Sequence, residues 1–558
     1  MARATLRRSA GNDGALADQW KEQTQPNRND PIGHHIRNGY VASARPKDTL
    51  VDDSRNRSYG RGIDCKAHGA SDRITCPNIA KPRHTLAQVS DHAHVAIVSL
   101  GDLSVNNVPV LFDPYADRMF LHPVIAVVIL VICAMTLVGS RKYALIAAML
   151  TLNFITPAQR VFILNMNLPA MRIFIFAAVV RIFIRNTHCR LRILNLDKVV
   201  VFYGIASVVS YTLQSPSLGS LNNAFGTFLD SVGAYFVVRV LITDLSDLYT
   251  LVRVLTVIGI AMLILFVIEY RTGVNVLGRF GGVPLTPDIR EGRARIQGPY
   301  PHPILAGAYW AAVIPLFLGF RIGTNGRDLQ MYVAVGVSLA LVALTASSTP
   351  IASAAFGIGA SLFFSLRHRL TDAKLILIFM LVAISLWMRH PIWFLLARVD
   401  LVGGSTGYYR FLLVDSFIRH WSDWFAIGLR DTASWSQGLG MNFVGLRDLA
   451  NQFVYEGTRG GIVTLLLFLA GAVVALSYVG RLVREAADLD DARRFWHVGV
   501  SVFVHLANFV AVSYFGQVKF AWWMTLAICG SLHQSHMFAG ERVIAETASI
   551  SGSAVRTT

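Results

Sequence analysis

From Phe120 onward, apolar runs of about 20 residues alternate with short polar linkers. A helix rises about 1.5 Å per residue, so runs of this length cross a hydrocarbon core of roughly 30 Å. Each run must be helical, because a lipid-exposed backbone satisfies its polar groups only as a helix or a closed barrel. The candidate spans are 121–139, 143–158, 168–185, 197–214, 221–242, 249–270, 303–321, 329–347, 350–366, 373–389, 460–480, 495–515 and 519–538.

This pattern predicts an all-α polytopic membrane protein with about twelve transmembrane helices. The weakest candidate is 143–158, which is short and ends near Pro157 and Arg160. If all the candidates crossed and the C-terminus were cytoplasmic, the N-terminal tail would lie outside. We therefore expect 143–158 not to be a true crossing.

The composition divides the chain into three parts. Residues 1–118 are polar, with no apolar run long enough for a span or for the core of a signal peptide, and are predicted to be mostly disordered. Residues 119–542 form the predicted transmembrane domain, and 543–558 form a C-terminal tail. With 53 % hydrophobic and 15 % charged residues, the chain is predicted to be neither an ordinary soluble enzyme nor a fibre.

The formal net charge of +17 favours contact with membrane lipid, and no nucleic acid partner is predicted. Basic residues gather in the linkers 185–198, 321–327, 367–374 and 481–494, which fall on one side if the spans between them cross. By the positive-inside rule that side is the cytoplasm. The long polar loops 271–302 and 390–459 then face outward.

The five cysteines are scattered and form neither a ligand set nor a disulfide framework. No metal and no cofactor is predicted.

Several ionisable residues fall inside candidate spans, where a charge is costly unless it faces the bundle interior or a cavity. Three of them, Arg181, Arg253 and Glu269, are close enough to span ends to reach the interface. Asp230 and Arg239 share one span and predict a structural network. The residues inside spans are Arg172, Arg181, Arg239, Arg253 and Glu269.

The first outward loop is rich in arginine and is followed by a proline series. Its arginines are Arg279, Arg290, Arg293 and Arg295, and the prolines stiffen the approach to the next helix. A guanidinium donates two parallel hydrogen bonds and keeps its charge, which suits a phosphate or diphosphate. The alternative is a solvated basic loop that touches lipid headgroups.

In the second outward loop, apolar spacing predicts an amphipathic helix from Arg410 to Phe425 that lies along the membrane surface. Tyr409 precedes Arg410 directly. Asp448 and Asn451 stand three residues apart where the next span begins. Two roles are open for Asp448: it caps that helix, or it serves as a general base near an anionic leaving group. The two roles are compatible.

These residues resemble a known family. The pattern Arg295-x-x-Gly298-x-x-x-His302-Pro303-x-x-x-Gly307, then Ser347-Ser348-x-Pro350, Arg410 and Asp448-x-x-Asn451, is similar to that of the O-antigen ligase and polymerase superfamily. The resemblance implies an integral membrane glycosyltransferase with a GT-C-like bundle. Its members take a glycan from undecaprenyl diphosphate and join it to an acceptor glycan or lipid at the outer face of the bacterial inner membrane.

The resemblance also implies roles for individual residues. Arg295 and Arg410 would hold the diphosphate, and Asp448 would orient or deprotonate the acceptor hydroxyl. Ligases carry a histidine where this chain has Ala450, so ligase and polymerase both stay open. The residues expected to contact substrate are Arg279, Arg293, His302, Tyr409 and Asn451.

Two other classes of protein fit the sequence. One is a transporter or flippase for a lipid-linked sugar or an organic anion, and the other is a noncatalytic partner in envelope-polysaccharide assembly. A catalyst requires Arg295, Arg410 and Asp448 to converge at one outward cavity, whereas a transporter requires a path at mid-membrane.

Overall fold

A computed structural model describes residues 120–163, 166–187, 191–320, 328–398, 407–436 and 448–555. The predicted tail 1–118 and residues 556–558 of the predicted C-terminal tail lie outside these ranges. The described chain is mostly helical, as the apolar runs predict. Its last helix passes the predicted boundary at 542 and ends at Val555.

The helices are α1 (Pro123–Val138), α2 (Arg141–Phe154), α3 (Ala170–Ile184), α4 (Asn195–Gln214), α5 (Leu218–Phe228), α6 (Ala234–Leu241), α7 (Leu245–Thr272), α8 (Pro303–Gly319), α9 (Leu329–Leu344), α10 (Ser348–Leu362), α11 (Leu370–Trp387), α12 (Gly407–Arg419), α13 (Trp421–Trp424), α14 (Gln452–Glu485), α15 (Leu489–Phe509) and α16 (Lys519–Val555). Two antiparallel hairpins join helices: β1 (Arg160–Ile163) with β2 (Met166–Pro169), and β3 (Asp288–Arg290) with β4 (Arg293–Arg295). A single π-helical turn, Leu229–Gly233, links α5 to α6.

Polar caps fix several helix starts. Asp244 accepts the backbone N–H groups of Ser246 and Asp247 at the start of α7. At the start of α14 the cap is Asn451, whose Oδ1 accepts the N–H of Val454 at 3.1 Å. The predicted capping role of Asp448 is therefore wrong, because Asn451 occupies the N-cap position directly before Gln452.

Five helices in the described part of the chain are long and apolar enough to cross a membrane, and a bent pair, Ile378–Trp387 with Ile392–Arg398, brings the number to six. The protein is accordingly a helical membrane protein. Three more helices, α1, α8 and α9, are apolar but shorter. The count of about twelve stays a prediction. The five are Asn195–Gln214, Leu218–Leu241, Leu245–Thr272, Ser348–Arg369 and Gln452–Glu485.

Side-chain contacts gather one set of helix termini at a common end of the bundle. Arg141, which begins α2, lies 3.7 Å from Asp247 of α7. Gln534 of α16 accepts the backbone N–H of Arg192, in the linker before α4. This end includes the described parts of the basic linkers 185–198 and 481–494. Arg494, at the end of the second linker, stacks on Tyr249 near the start of α7.

A second set of contacts joins the opposite termini. The Thr156 hydroxyl, after α2, donates to the Gly281 carbonyl, and Gln214, at the end of α4, donates to the Arg459 carbonyl. Gln517, before α16, donates to the Pro299 carbonyl at 2.9 Å. The described parts of both long polar loops therefore meet the bundle at this end, which we call the loop end.

The sequence predicts that Arg239 pairs with Asp230, but the structure shows different partners for both residues. The Nε of Arg239 lies 3.1 Å from Asp197 of α4, and both side chains are almost fully buried. Tyr235 donates its hydroxyl to the same carboxylate at 2.6 Å. Asp230 instead accepts two hydrogen bonds, each of 2.7 Å, from Arg172 of α3. The partner of each charge lies on a different helix, so spacing within one span could not identify it.

Two residues expected to reach the interface are instead buried. Arg181 donates to the carbonyls of Thr136 and Gly139 and closes the end of α1. Glu269 accepts the backbone N–H groups of Gln297 and Gly298 and anchors the first loop. Arg253 is exposed.

We predict that the Arg239–Asp197 pair stabilises the bundle. Arg239→Ala should lower the free energy of unfolding by about 3 to 5 kcal/mol, because it leaves a buried carboxylate without its cation. Denaturant unfolding of the purified protein in detergent measures the change. The matched control is Arg192→Ala, which breaks an exposed pair with Glu541 and should cost only about 0 to 1 kcal/mol. Equal losses in the two variants would contradict the prediction.

Candidate functional site

The first loop folds onto the loop end as a short hairpin. Strands β3 and β4 pair Asp288 with Arg295 and Arg290 with Arg293. Since side chains alternate along a strand, these four lie on one face of the hairpin. One carboxylate thus shares a face with three guanidinium groups.

Arg295 is the buried arginine of this face. Its side chain is 3 % exposed, with Nη1 donating to Asp288 at 2.8 Å and Nη2 donating to the Ser347 hydroxyl at 3.1 Å. Burial lowers the pKa of the guanidinium, Arg290 lowers it further, and Asp288 opposes both effects. Both contacts use the fork of the guanidinium, which fixes its direction.

His302 stands at the start of α8 and has a structural role. Its Nδ1 accepts the backbone N–H of Ile304 at 3.2 Å, which caps the helix. Burial and the positive charge of Arg295 lower the pKa of the imidazole to about 4. The ring is therefore neutral near pH 7, and it can accept a hydrogen bond there.

The second loop brings Tyr409, Arg410 and Asp448 together. Helix α12 begins at Gly407, so it includes most of the segment predicted to be amphipathic. The Tyr409 hydroxyl donates to the Asp448 carbonyl at 2.7 Å, and Arg410 donates to the Ala511 carbonyl at 3.0 Å. Burial raises the pKa of the Asp448 carboxyl, and the nearby Arg410 opposes that rise. A raised pKa makes this carboxylate a better base than an ordinary aspartate.

The segment from Val510 to Val518 contacts both loops. Asn451 donates to the Val510 carbonyl at 2.9 Å, beside the Arg410 contact to Ala511. Farther along the segment, Gln517 bonds to Pro299. The contacts of the predicted residues thus form two groups, Arg295 with His302 and Arg410 with Tyr409, Asp448 and Asn451, on either side of this segment.

A cavity of about 540 Å³ lies at the loop end. It is bounded by the end of α2, the start of α3, the first loop and the start of α16, and most of its wall is apolar. Tyr409, Arg410, Asp448 and Asn451 are not part of its wall, and the exposed Arg279 and Arg293 also lie outside it. Arg295 lies behind Asp288. The ionisable residues of the wall are Arg160, Arg172, Asp230, Asp288, His302 and Lys519.

Sequence reasoning predicted only His302 among these ionisable residues as a site residue. Arg160 and Lys519 stand at the ends of candidate spans, where a cation is ordinarily explained by headgroup contact. Arg172 is marked by its position inside a span, but its partner Asp230 comes from another helix. The sequence signal that points to Arg172 is the cost of placing a charge inside a span.

The sequence matches no protein-family model, and no curated protein is significantly similar to it. The resemblance to the O-antigen ligase and polymerase superfamily therefore rests on the motif residues.

We predict that acid weakens the fold through His302. Above pH 6.5, the ordinary pKa, the ring is neutral in the folded and unfolded chain, and the stability is fully present. As the pH falls toward the folded pKa of about 4, the unfolded chain binds the proton first, so the free energy of unfolding decreases. His302→Asn keeps a capping acceptor and should flatten this dependence in thermal unfolding between pH 7 and pH 4.

The control for this test is His390→Asn, at an exposed residue, which should leave the pH dependence as in the wild type. The same slope in wild type and His302→Asn would count against the assignment.

Proposed function

We propose that the protein is a metal-independent glycosyltransferase that transfers or polymerises a glycan from an undecaprenyl-diphosphate carrier onto an acceptor hydroxyl. The observation that supports this best is the cavity at the loop end, where cationic side chains outnumber carboxylates within an apolar wall. Such a cavity suits a substrate with an apolar tail and an anionic headgroup. Expected partners are the lipid-linked glycan, an acceptor glycan or lipid, and membrane lipid.

The need for cations follows from the reaction. Cleaving the bond between the anomeric carbon and the phosphate oxygen leaves both bonding electrons on the diphosphate, whose negative charge grows in the transition state. Fixed cations stabilise that charge without rearranging as it forms. We assign this role to Arg295 and Arg410, with Arg279 or Arg293 helping from the exposed surface.

The acceptor oxygen forms the new bond to the anomeric carbon as the old one breaks. Its proton passes to Asp448, whose backbone carbonyl accepts a hydrogen bond from Tyr409 and whose carboxyl group lies near Arg410. A single displacement inverts the configuration at that carbon. Asn451 and His302 would line the approach of the substrate, and the raised pKa of Asp448 favours its role as the base.

The protein would be a multi-pass protein of a bacterial inner membrane, with about twelve spans in a GT-C-like bundle. The loop end would face outward, since the described parts of the basic linkers 185–198 and 481–494 lie at the other end.

A transporter or flippase is the second candidate, and interruptions in two long helices favour it. A π-helical turn separates α5 from α6, and Gly461 leaves helical geometry within α14, with φ of 71° and ψ of −174°. Transporters commonly build their sites from broken helices. The two candidates differ in one requirement: transport needs a sealed membrane, whereas transfer does not.

We predict that transfer of a lipid-linked glycan in detergent micelles depends on Arg295 and Asp448. Arg295→Lys cannot hold Asp288 and Ser347 at once and should slow transfer about 10- to 100-fold, the value of one charge-assisted hydrogen bond. Asp448→Asn should slow transfer about 100-fold, within the usual range for a general base. Rates come from gel analysis of the glycan product.

The control is Arg192→Lys, at an exposed arginine at the opposite end of the bundle, which should retain nearly the wild-type rate. Wild-type rates from both Arg295→Lys and Asp448→Asn would refute the catalytic assignment. Export from sealed vesicles without any transfer in micelles would favour the transporter.

A further inference from the structure

Lys519 lies where two cavities meet. It is the first residue of α16. It lines the cavity at the loop end and also a second cavity of about 30 Å³, whose wall includes Glu456 and Tyr455. Its Nζ stands 5.8 Å from the centre of the Tyr455 ring. The start of a helix also favours an anion, because its first N–H groups and the helix dipole point there.

The carboxylates near Lys519 are already committed to other groups. Both oxygens of Asp230 accept from Arg172 at 2.7 Å. Glu456 accepts from Tyr203 at 3.0 Å and from Gln452 at 2.7 Å. Within the described ranges, no carboxylate stands within 4.0 Å of the Lys519 ammonium. Its charge is therefore available to a ligand.

The cavity as a whole has the same surplus. Arg160, Arg172 and Lys519 line it, and Arg295 stands behind one wall, whereas its carboxylates are Asp230 and Asp288. His302 is neutral near pH 7, since the pKa of its ring is lowered to about 4. Since Arg172 pairs with Asp230 and Arg295 pairs with Asp288, the surplus among the described residues is the positive charge of Lys519. A surplus of this size in an apolar wall is costly unless an anion offsets it.

We propose that Lys519, with Arg172 and Arg160, binds the diphosphate group of the ligand in this cavity, an assignment that rests on the proposed function. Arg172 is held in direction by Asp230, and Lys519 contributes a compact charge from the facing helix. Arg295 then acts on the same group from behind Asp288. The sequence resemblance assigns no role to Lys519, Arg172 or Arg160.

The test is binding of inorganic pyrophosphate and of farnesyl diphosphate to the purified full-length protein, with farnesol as the uncharged probe. Lys519→Met removes the charge at similar length and should weaken diphosphate binding at least about tenfold, the value of one charge-assisted hydrogen bond. Lys519→Arg should retain most of the affinity. Lys198→Met, at an exposed lysine of α4, should bind as the wild type.

Binding of farnesol should be unchanged in every variant, because the apolar wall is intact. If only farnesyl diphosphate binds with dependence on Lys519, the ligand is a lipid, whereas binding of both diphosphates indicates a site that also accepts the free anion. Equal affinity of wild type and Lys519→Met, or no diphosphate binding by the wild type, overturns the assignment.

The failure of this inference and that of the proposed function are distinguishable. If diphosphate binding depends on Lys519 but the protein transfers no glycan, the anion site is supported and the proposed enzymatic function is refuted. If Lys519→Met transfers glycan at the wild-type rate, the enzymatic function is supported and the role of Lys519 in its site is refuted. Thermal unfolding of Lys519→Met and Lys519→Arg identifies any loss that comes from misfolding.

Discussion

The cost of a charge in a low-dielectric interior governs this structure. Among the described residues, the buried charges discussed above bond to groups on other segments of the chain, since an isolated buried charge would cost several kcal/mol. Arg239 with Asp197 and Arg172 with Asp230 are such pairs. These pairs fix how the helices stand against one another, because each connects segments far apart in the chain.

At the loop end the pairing is incomplete. Arg295 is held by Asp288 and Ser347, and Arg172 by Asp230, but Lys519 has no carboxylate within ion-pair distance among the described residues. The apolar wall around these groups excludes much of the water that would otherwise screen them, so an anion there interacts strongly with the cations. Under the proposed function, the unpaired charge that costs stability also binds a charged lipid, so stability and function are in tension here.

The helices could be predicted from the sequence, and the pairings could not. Apolar runs of sufficient length identify a membrane helix by themselves, and Asn451 or Asp244 marks a helix start through short-range bonds. The carboxylate that pairs with Arg239 lies 42 residues away in the chain, and the position of Lys519 beside a cavity depends on segments even farther apart. The predicted pairing of Asp230 with Arg239 is wrong for this reason. Both residues lie on one span, and each pairs with a residue of another helix. The burial of Arg295 behind Asp288 could not be predicted either, because the pairing of the two hairpin strands leaves no signal in the sequence.

The central claim is that a diphosphate occupies the cavity at the loop end. A cryo-electron microscopy map of the protein in nanodiscs with a lipid-linked diphosphate glycan tests it most directly. The account predicts phosphate density within about 3 Å of the Lys519 ammonium, the distance of a charge-assisted hydrogen bond, with the lipid tail against the apolar wall. Diphosphate density elsewhere on the protein, with this cavity empty, would contradict it.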